Sequence, residues 1–369
     1  MQAFQKVDDV WTRAAFWARF NHAAVYRTTV GERVIAGLYA INLPVSFVGR
    51  QLAMRGIGVV MSDPVFRGQG GPSKLMRQAL VEMDAAQVEL SYLAPFSYTF
   101  YRRFGYEQVF NRTTTTFKRQ ELVAPDLSSD VQFSTASFAA VVEKLQAFYA
   151  ARVQDLRGGL VRDDWWWDYL VTRYNERQVL LCQGADGGLL GYTLYVETPN
   201  EIQVVERVAV NAQVSNTLLV YLNNQLDEGQ QLSVVTPNSM YFGLELPEPD
   251  LATTAVTPYM MARIVNIQSF VRQYPFSADF AEINIKLTDP VIERNNGVGR
   301  FTPGSLTKAP AQQRPDLEIS ITRFSQLMLG AVTLQQLIDW QQVIVNDDKR
   351  AQQFALTLVQ TEPELVDYF

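Results

Sequence analysis

The stretch that most limits what this chain can become is a strand that runs through a glycine-rich turn into a helix. It lies at Gly56–Met76, GIGVVMSDPVFRGQGGPSKLM. Val59, Val60 and Met61 read as a buried strand, and Ser62-Asp63-Pro64 breaks it. Arg67-Gly68-Gln69-Gly70-Gly71 forms the turn, and Pro72-Ser73-Lys74-Leu75-Met76 opens a helical pattern. Glycines let bare backbone N–H groups approach a ligand closely. The helix start adds its unpaired donors and positive dipole end at the same point. Pro72 suits the first helical turn, where a missing donor costs nothing. Such a pocket fits phosphate, although glycines alone serve equally in a bare tight turn. A P-loop needs Gly-Lys-Ser/Thr, and Gly71 is followed by Pro72. A dinucleotide fingerprint needs its glycines directly after the strand, whereas here Pro64-Val65-Phe66-Arg67 intervenes.

Asp-Pro-x-x-Arg-Gly-x-Gly-Gly between strand and helix resembles the pyrophosphate segment of the GNAT acyl-CoA N-acetyltransferases. The family pattern is Arg/Gln-x-x-Gly-x-Gly/Ala, and Arg67, Gly70 and Pro72 occupy its marked positions. Pro72 departs from the usual small residue and removes one donor. A second constellation, Tyr98–Glu107, reads as a short helix stopped by Gly105. Its Tyr101, Gly105 and Tyr106 match the GNAT pattern Tyr-x-x-x-Gly-Tyr/Phe. The resemblance implies that the Tyr101 hydroxyl protonates the departing CoA thiolate. Taken alone, Tyr101 is one of 16 tyrosines and could equally fill core space.

The chain has 369 residues, enough for two or three domains. A net charge of -6 argues against nucleic acid or an anionic membrane surface as partner. Cys182 and His22 are the only residues of their kinds, which excludes an internal disulfide and a cysteine metal site and nearly excludes a catalytic triad or a His-rich zinc site. No metal is expected. His22 reads as a partly buried packing residue. No signal peptide or membrane-spanning run is evident, so the expected location is the cytoplasm.

Taken in order, Val7–His22 reads as a helix. Strands follow at Ala24–Val30, Val34–Leu43 and Val45–Leu52, the last broken at Gly49. After the central stretch come helix Ser73–Gln87, strand Val88–Leu93 and strand Thr113–Lys118. Ala124–Asp130 reads as a linker. A second unit has helices Phe138–Val153 and Asp163–Tyr174, strands Gln178–Cys182, Leu189–Val196 and Ile202–Val210, helix Asn216–Leu226 and strand Leu232–Val235. It repeats the plan of the first without Arg-x-x-Gly-x-Gly. Trp165-Trp166-Trp167 cannot all face one side of a helix. Pro247-Glu248-Pro249-Asp250 marks a boundary. Beyond it lie strand Tyr259–Val265, helix Ile267–Tyr274, strand Ala281–Leu287, a hairpin turn at Asn295-Asn296-Gly297, strand Leu317–Ile321 and helices at Ser325–Leu329, Leu334–Trp340 and Phe354–Gln360. That arrangement resembles the sterol-carrier-like fold.

The whole order is similar to the Eis (enhanced intracellular survival) family of acetyltransferases. The implied fold class is α/β (α+β): tandem GNAT domains at 1–123 and 124–249, the second degenerate, then a sterol carrier protein-like domain at 250–369. The resemblance implies acetyl-CoA as co-substrate. Val60, Met61 and Ser62 would hold the pantetheine arm, with Phe96 and Ser97 beside it. Arg67, Gly68, Gln69, Gly70, Gly71, Pro72 and Ser73 would hold the pyrophosphate. It further implies that the free α-carboxylate of Phe369 is the general base. The acceptor would be a small-molecule or peptide amine, aminoglycoside-like or a lysine side chain, and the assembly a homohexamer. Two other readings stay open: a non-catalytic carrier of an apolar ligand in the tail domain, and a tandem-GNAT aminoacyltransferase.

Overall fold

In the computed structural model, residues 9–123, 130–154, 156–238, 246–310 and 312–369 are described. Among them, eleven strands form one continuous sheet. Its order is Ala23–Val30, Arg33–Asn42, Met54–Ser62, Leu90–Leu93, Thr253–Ile264, Glu107–Lys118, Gln231–Thr236, Glu201–Ala209, Leu189–Thr198, Gln178–Gly184 and Val131–Ser137. All neighbours run antiparallel except two pairs. Met54–Ser62 is parallel to Leu90–Leu93, and Glu201–Ala209 is parallel to Gln231–Thr236. Each parallel pair needs a crossover, supplied by helices Gly71–Ala85 and Ala212–Gln225. The two units are therefore built alike, and they join where Glu107–Lys118 pairs with Gln231–Thr236.

Local chemistry explains most boundaries. Asp9 caps helix Val10–Asn21, accepting from the Thr12 N–H at 2.7 Å. Val48 and Gly49 both have positive φ, which makes a two-residue turn between Val45–Phe47 and Arg50–Leu52. This small hairpin pairs with Arg157–Leu160 of the second unit. Helix Gly71–Ala85 buries Leu75, Met76, Ala79, Leu80 and Met83 on one face against Ala36, Leu38, Ala40 and Ile57. On the other face of the sheet, a larger core runs from Tyr39, Ile41 and Leu43 through Trp166 and Trp167 to the tail domain.

Several expectations are corrected. Strand Tyr259–Val265 does not open the tail sheet. As Thr253–Ile264 it is inserted in the long sheet between Leu90–Leu93 and Glu107–Lys118. Strand Val131–Ser137 escaped the periodicity because this edge strand is rich in Ser, Thr and Gln. No two-residue turn forms at Asn295-Asn296-Gly297. The hairpin from Ile283–Thr288 to Gly297–Thr302 closes through a short helical turn at Glu293–Asn295, where Asp289 N–H donates to Asn296 Oδ1 at 2.7 Å. The last helix is Asp348–Leu356, and the chain beyond it has no regular secondary structure. His22 is exposed, with its ring stacked flat on Trp165 at 4.1 Å. The linker reading falls mostly on residues 124–129, outside the described residues. No described helix is long and apolar enough to cross a membrane.

The inserted strand is tied to both sides by a fully buried arginine. Arg263 pairs with Asp289 of the tail domain at 2.6 Å, both side chains being 0% exposed, and also donates to the Phe104 carbonyl. Removing one partner leaves the other charge buried and unpaired, at a typical cost of about 3–5 kcal/mol. Arg263→Met is expected to lower stability by about that amount. A urea titration with unchanged slope and a reduced midpoint is the check.

Candidate active site

Strand Met54–Ser62 keeps parallel register with Leu90–Leu93 from Met54↔Leu90 to Ile57↔Leu93 and no further. Beyond that point its other edge stays paired with Arg33–Asn42, but not evenly. Gly37 faces Met61 and Tyr39 faces Gly58, so Val59 and Val60 together oppose Leu38. This is a β-bulge. Val59 has φ +54, a left-handed conformation costly for a β-branched residue. The result is a gap between two parallel strands, edged by the main chain of Val60, Met61 and Ser62.

The gap leads to the glycine turn. Asp63 caps the turn Pro64–Phe66 through the Val65 N–H at 2.9 Å and pairs with Arg33. Arg67 is exposed and extended. Gly68 and Gly70 have φ +83 and +76, which glycine adopts without strain. Gly70 is the N-cap of helix Gly71–Ala85, and the Gln69 N–H turns back to the Phe66 carbonyl. A Cβ on Gly71 would lie 2.8 Å from the Ala36 Cβ, so only glycine lets the helix start this close to the sheet. Gly71, Pro72 and Ser73 form the first turn, where N–H groups lack intrahelical partners. Gly68, Gly70, Gly71 and Ser73 thus present backbone donors at a positive dipole end.

Tyr101 is buried at 2% exposure on the face that carries this helix. Ser97 caps its helix, Tyr98–Arg102, accepting from the Phe100 N–H at 3.3 Å. Phe96 is 67% exposed and lies edge-on to Tyr101, with ring centroids 5.1 Å apart. Burial pushes the Tyr101 hydroxyl well above the ordinary tyrosine value, and neighbouring Tyr106 and Tyr368 add to the shift. Tyr101 therefore stays protonated and able to donate.

Phe369 lies on the other face of the sheet, 4% exposed. A Cβ on Gly56 would fall 2.5 Å from its ring, and one on Gly58 3.8 Å from its carboxyl carbon. The two glycines, two residues apart on one strand face, make the seat on which this residue rests. Their spacing is visible in the sequence, and it is the signal that could have found the seat. Tyr101 and Phe369 thus flank the gap from opposite faces. Of the residues that hold the segment ending at Phe369, only Trp166 stood out in the sequence, within Trp165-Trp166-Trp167, while Arg112, Arg162 and Tyr259 carried no signal.

Sequence and structure comparisons bear on the domains and the fold that carry this site. The acetyltransferase (GNAT) domain description matches residues 1–109, a second acetyltransferase (GNAT) description matches 158–264, and a sterol carrier protein domain matches 267–365. No curated protein matches the chain. Among solved structures, a conserved protein from Enterococcus faecalis V583, described as a probable N-acyltransferase, superposes with TM-score 0.90 at 28% identity, covering 100% of this chain and 95% of its own. A GCN5-related N-acetyltransferase from Anabaena variabilis ATCC 29413 gives 0.86 at 18%, covering 100% and 95%. Eis1 from Mycobacterium abscessus gives 0.79 at 16%, covering 97% and 96%. The last two share the fold.

The seat makes a paired prediction. Gly56→Ala drives a methyl into the Phe369 ring and is expected to lower kcat at least about tenfold by displacing the residue. Gly58→Ala meets only ordinary contacts and is expected to stay within about threefold. Steady-state kinetics of the two variants, with melting temperatures to show both fold, provide the comparison.

Proposed function

Two GNAT acetyltransferase domains followed by a sterol-carrier-like domain make up this chain, and we propose that it is an N-acyltransferase that moves an acetyl group from acetyl-CoA to a primary amine. The observation that carries this reading is the split strand pair: a bulged strand with free main-chain groups, opening directly onto the turn Arg67–Ser73. When bound, the coenzyme supplies the acetyl thioester. Val60, Met61 and Ser62 orient its arm and polarise the thioester carbonyl through main-chain groups. Gly68, Gly70, Gly71 and Ser73 give backbone N–H donors to the pyrophosphate, with Arg67 adding charge.

An amine attacks only after losing its proton, so a base must face the incoming nitrogen. We assign that role to the α-carboxylate of Phe369, resting against Gly58. Tyr101, protonated on the opposite face, gives its proton to the thiolate. Acid and base sit on different sides of one sheet, which lets coenzyme and acceptor arrive from different sides. The acceptor is read as a cationic small molecule or lysine-bearing peptide, and the assembly as a homohexamer. The division at 1–123, 124–249 and 250–369 is part of the same proposal.

Free-thiol release from acetyl-CoA, measured with a panel of aminoglycosides, polyamines and lysine peptides, tests the reaction. Thiol release dependent on one of these amines supports it, and none with any amine refutes it for these acceptors. Tyr101→Phe is expected to lower kcat by about 10²-fold or more with an unchanged melting temperature. Because burial holds Tyr101 above its ordinary value of 10.0, its ionisation should not reduce kcat below that pH. A wild-type alkaline limb below pH 10 that vanishes in Tyr101→Phe would show that Tyr101 ionises lower than its burial implies, while leaving it as the proton donor. Appending one residue after Phe369 moves the carboxylate without touching the fold. Unchanged turnover in that variant would reject the terminal base.

A further inference from the structure

The irregular segment after Leu356 runs along the second unit on its way to Phe369, and buried side chains grip it at successive points. Arg157, 1% exposed, donates through Nη1 to the carbonyls of Val359 and Thr361, both at 2.6 Å, and through Nη2 to that of Met328. The Glu364 N–H donates to the Arg157 carbonyl at 3.0 Å. Arg112 and Tyr259 donate to the carbonyl of Val366, and Tyr259 also to that of Asp367 at 2.9 Å. The strongest grip comes two residues before Phe369. Asp367 accepts from Arg162 Nε at 3.0 Å and from Trp166 Nε1 at 2.8 Å. The other side of the Arg162 guanidinium pairs with Glu206, which also accepts from Tyr192 at 2.6 Å. Arg162 is enclosed by the rings of Tyr149 and Trp167, and its side chain is 1% exposed, as is that of Asp367.

Everything that binds Asp367's carboxylate belongs to the second unit. That unit also has a parting parallel pair. Glu201–Ala209 and Gln231–Thr236 share register from Glu201↔Gln231 to Val204↔Val234, and Val205 is bulged against Leu194 and Tyr195. Its strand-to-helix connection is only Val210-Asn211, with no glycine turn to cradle a phosphate. The cavity at this parting, about 380 Å³, is walled by Val205–Ala209, Val234–Asn238 and the tail residues Glu364, Leu365 and Val366. The slot that serves a coenzyme in the first unit thus has the chain's own tail along it in the second.

We propose that the second unit is a receptor for this tail, and that Arg162 and Asp367 are positioning residues that hold Phe369 on Gly56 and Gly58. The catalytic consequence rests on the reading of Phe369 as base. Burial pushes the Asp367 carboxyl up, and the charge of Arg162 offsets only part of that. The carboxylate is therefore kept in the core by its partners Arg162 and Trp166.

The test uses the full-length enzyme, its intact mass first showing that the chain ends at Phe369. Asp367→Asn keeps the side-chain shape and removes the charge, and Trp166→Phe removes one donor. Two quantities are read: the rate at which carboxypeptidase releases Phe369 and Tyr368, and kcat beside the KM for acetyl-CoA. In Asp367→Asn, release should quicken about tenfold or more, kcat fall about 10- to 100-fold, and KM stay within about twofold. Trp166→Phe should shift both in the same direction by less. Wild-type release rates in Asp367→Asn overturn the proposal, whatever happens to kcat or the melting temperature. Faster release with unchanged kcat upholds the receptor and instead overturns the terminal base. A fall in kcat for the variant extended beyond Phe369, with Asp367→Asn unchanged in both measurements, does the reverse.

Discussion

Two parallel strands share hydrogen bonds over Met54–Ile57 and Leu90–Leu93 and then part. Main-chain groups inside a protein must find partners, and each one left without any is costly. The bulge at Val59 and Val60 keeps the far edge of the strand paired while the near edge is freed. A strained valine at φ +54 is tolerated there because the flanking ladder determines it. The freed edge is half-buried and leaves its main-chain groups open to a further partner. The rest of the molecule supports this opening: a helix beyond the glycine turn, a buried tyrosine on one face, and Phe369 on the other.

That opposition of faces separates the demands on the two sides. The face with helix Gly71–Ala85 offers dipole and backbone donors suited to phosphate. The opposite face belongs to the larger core, where the Trp166 ring lies 6.5 Å from that of Phe369 and Tyr169 lies tilted against Trp166 at 4.6 Å. Apolar surroundings strengthen the few polar contacts made there, including those of Asp367 with Arg162 and Trp166.

Much of this was legible in the sequence because local rules wrote it. The turn Arg67–Ser73, the short helix holding Tyr101 and the helix Phe138–Val153 each follow from spacing, capping and glycine placement. What local rules do not encode was read less well. Strand Thr253–Ile264 has an ordinary strand pattern, and nothing in it tells which sheet it joins. The edge strand Val131–Ser137 has no fully buried position, and only Val131, Phe133 and Ala136 are apolar and half-buried, which leaves its pattern short and weak. Arg157 and Arg162 look like surface charges in a sequence. Their burial depends on partners some 200 residues away, which only the folded chain brings together.

The inserted strand Thr253–Ile264 has one more consequence. It supplies the neighbour on both sides that Leu90–Leu93 and Glu107–Lys118 would otherwise lack. During synthesis the ribosome makes those two segments long before residue 264. Until that strand emerges, the nascent first unit carries bare edges in the middle of its sheet, the kind of surface that invites mispairing. The portion translated earliest is thus completed only by a segment made after the whole second unit, a long-range closure that slows folding.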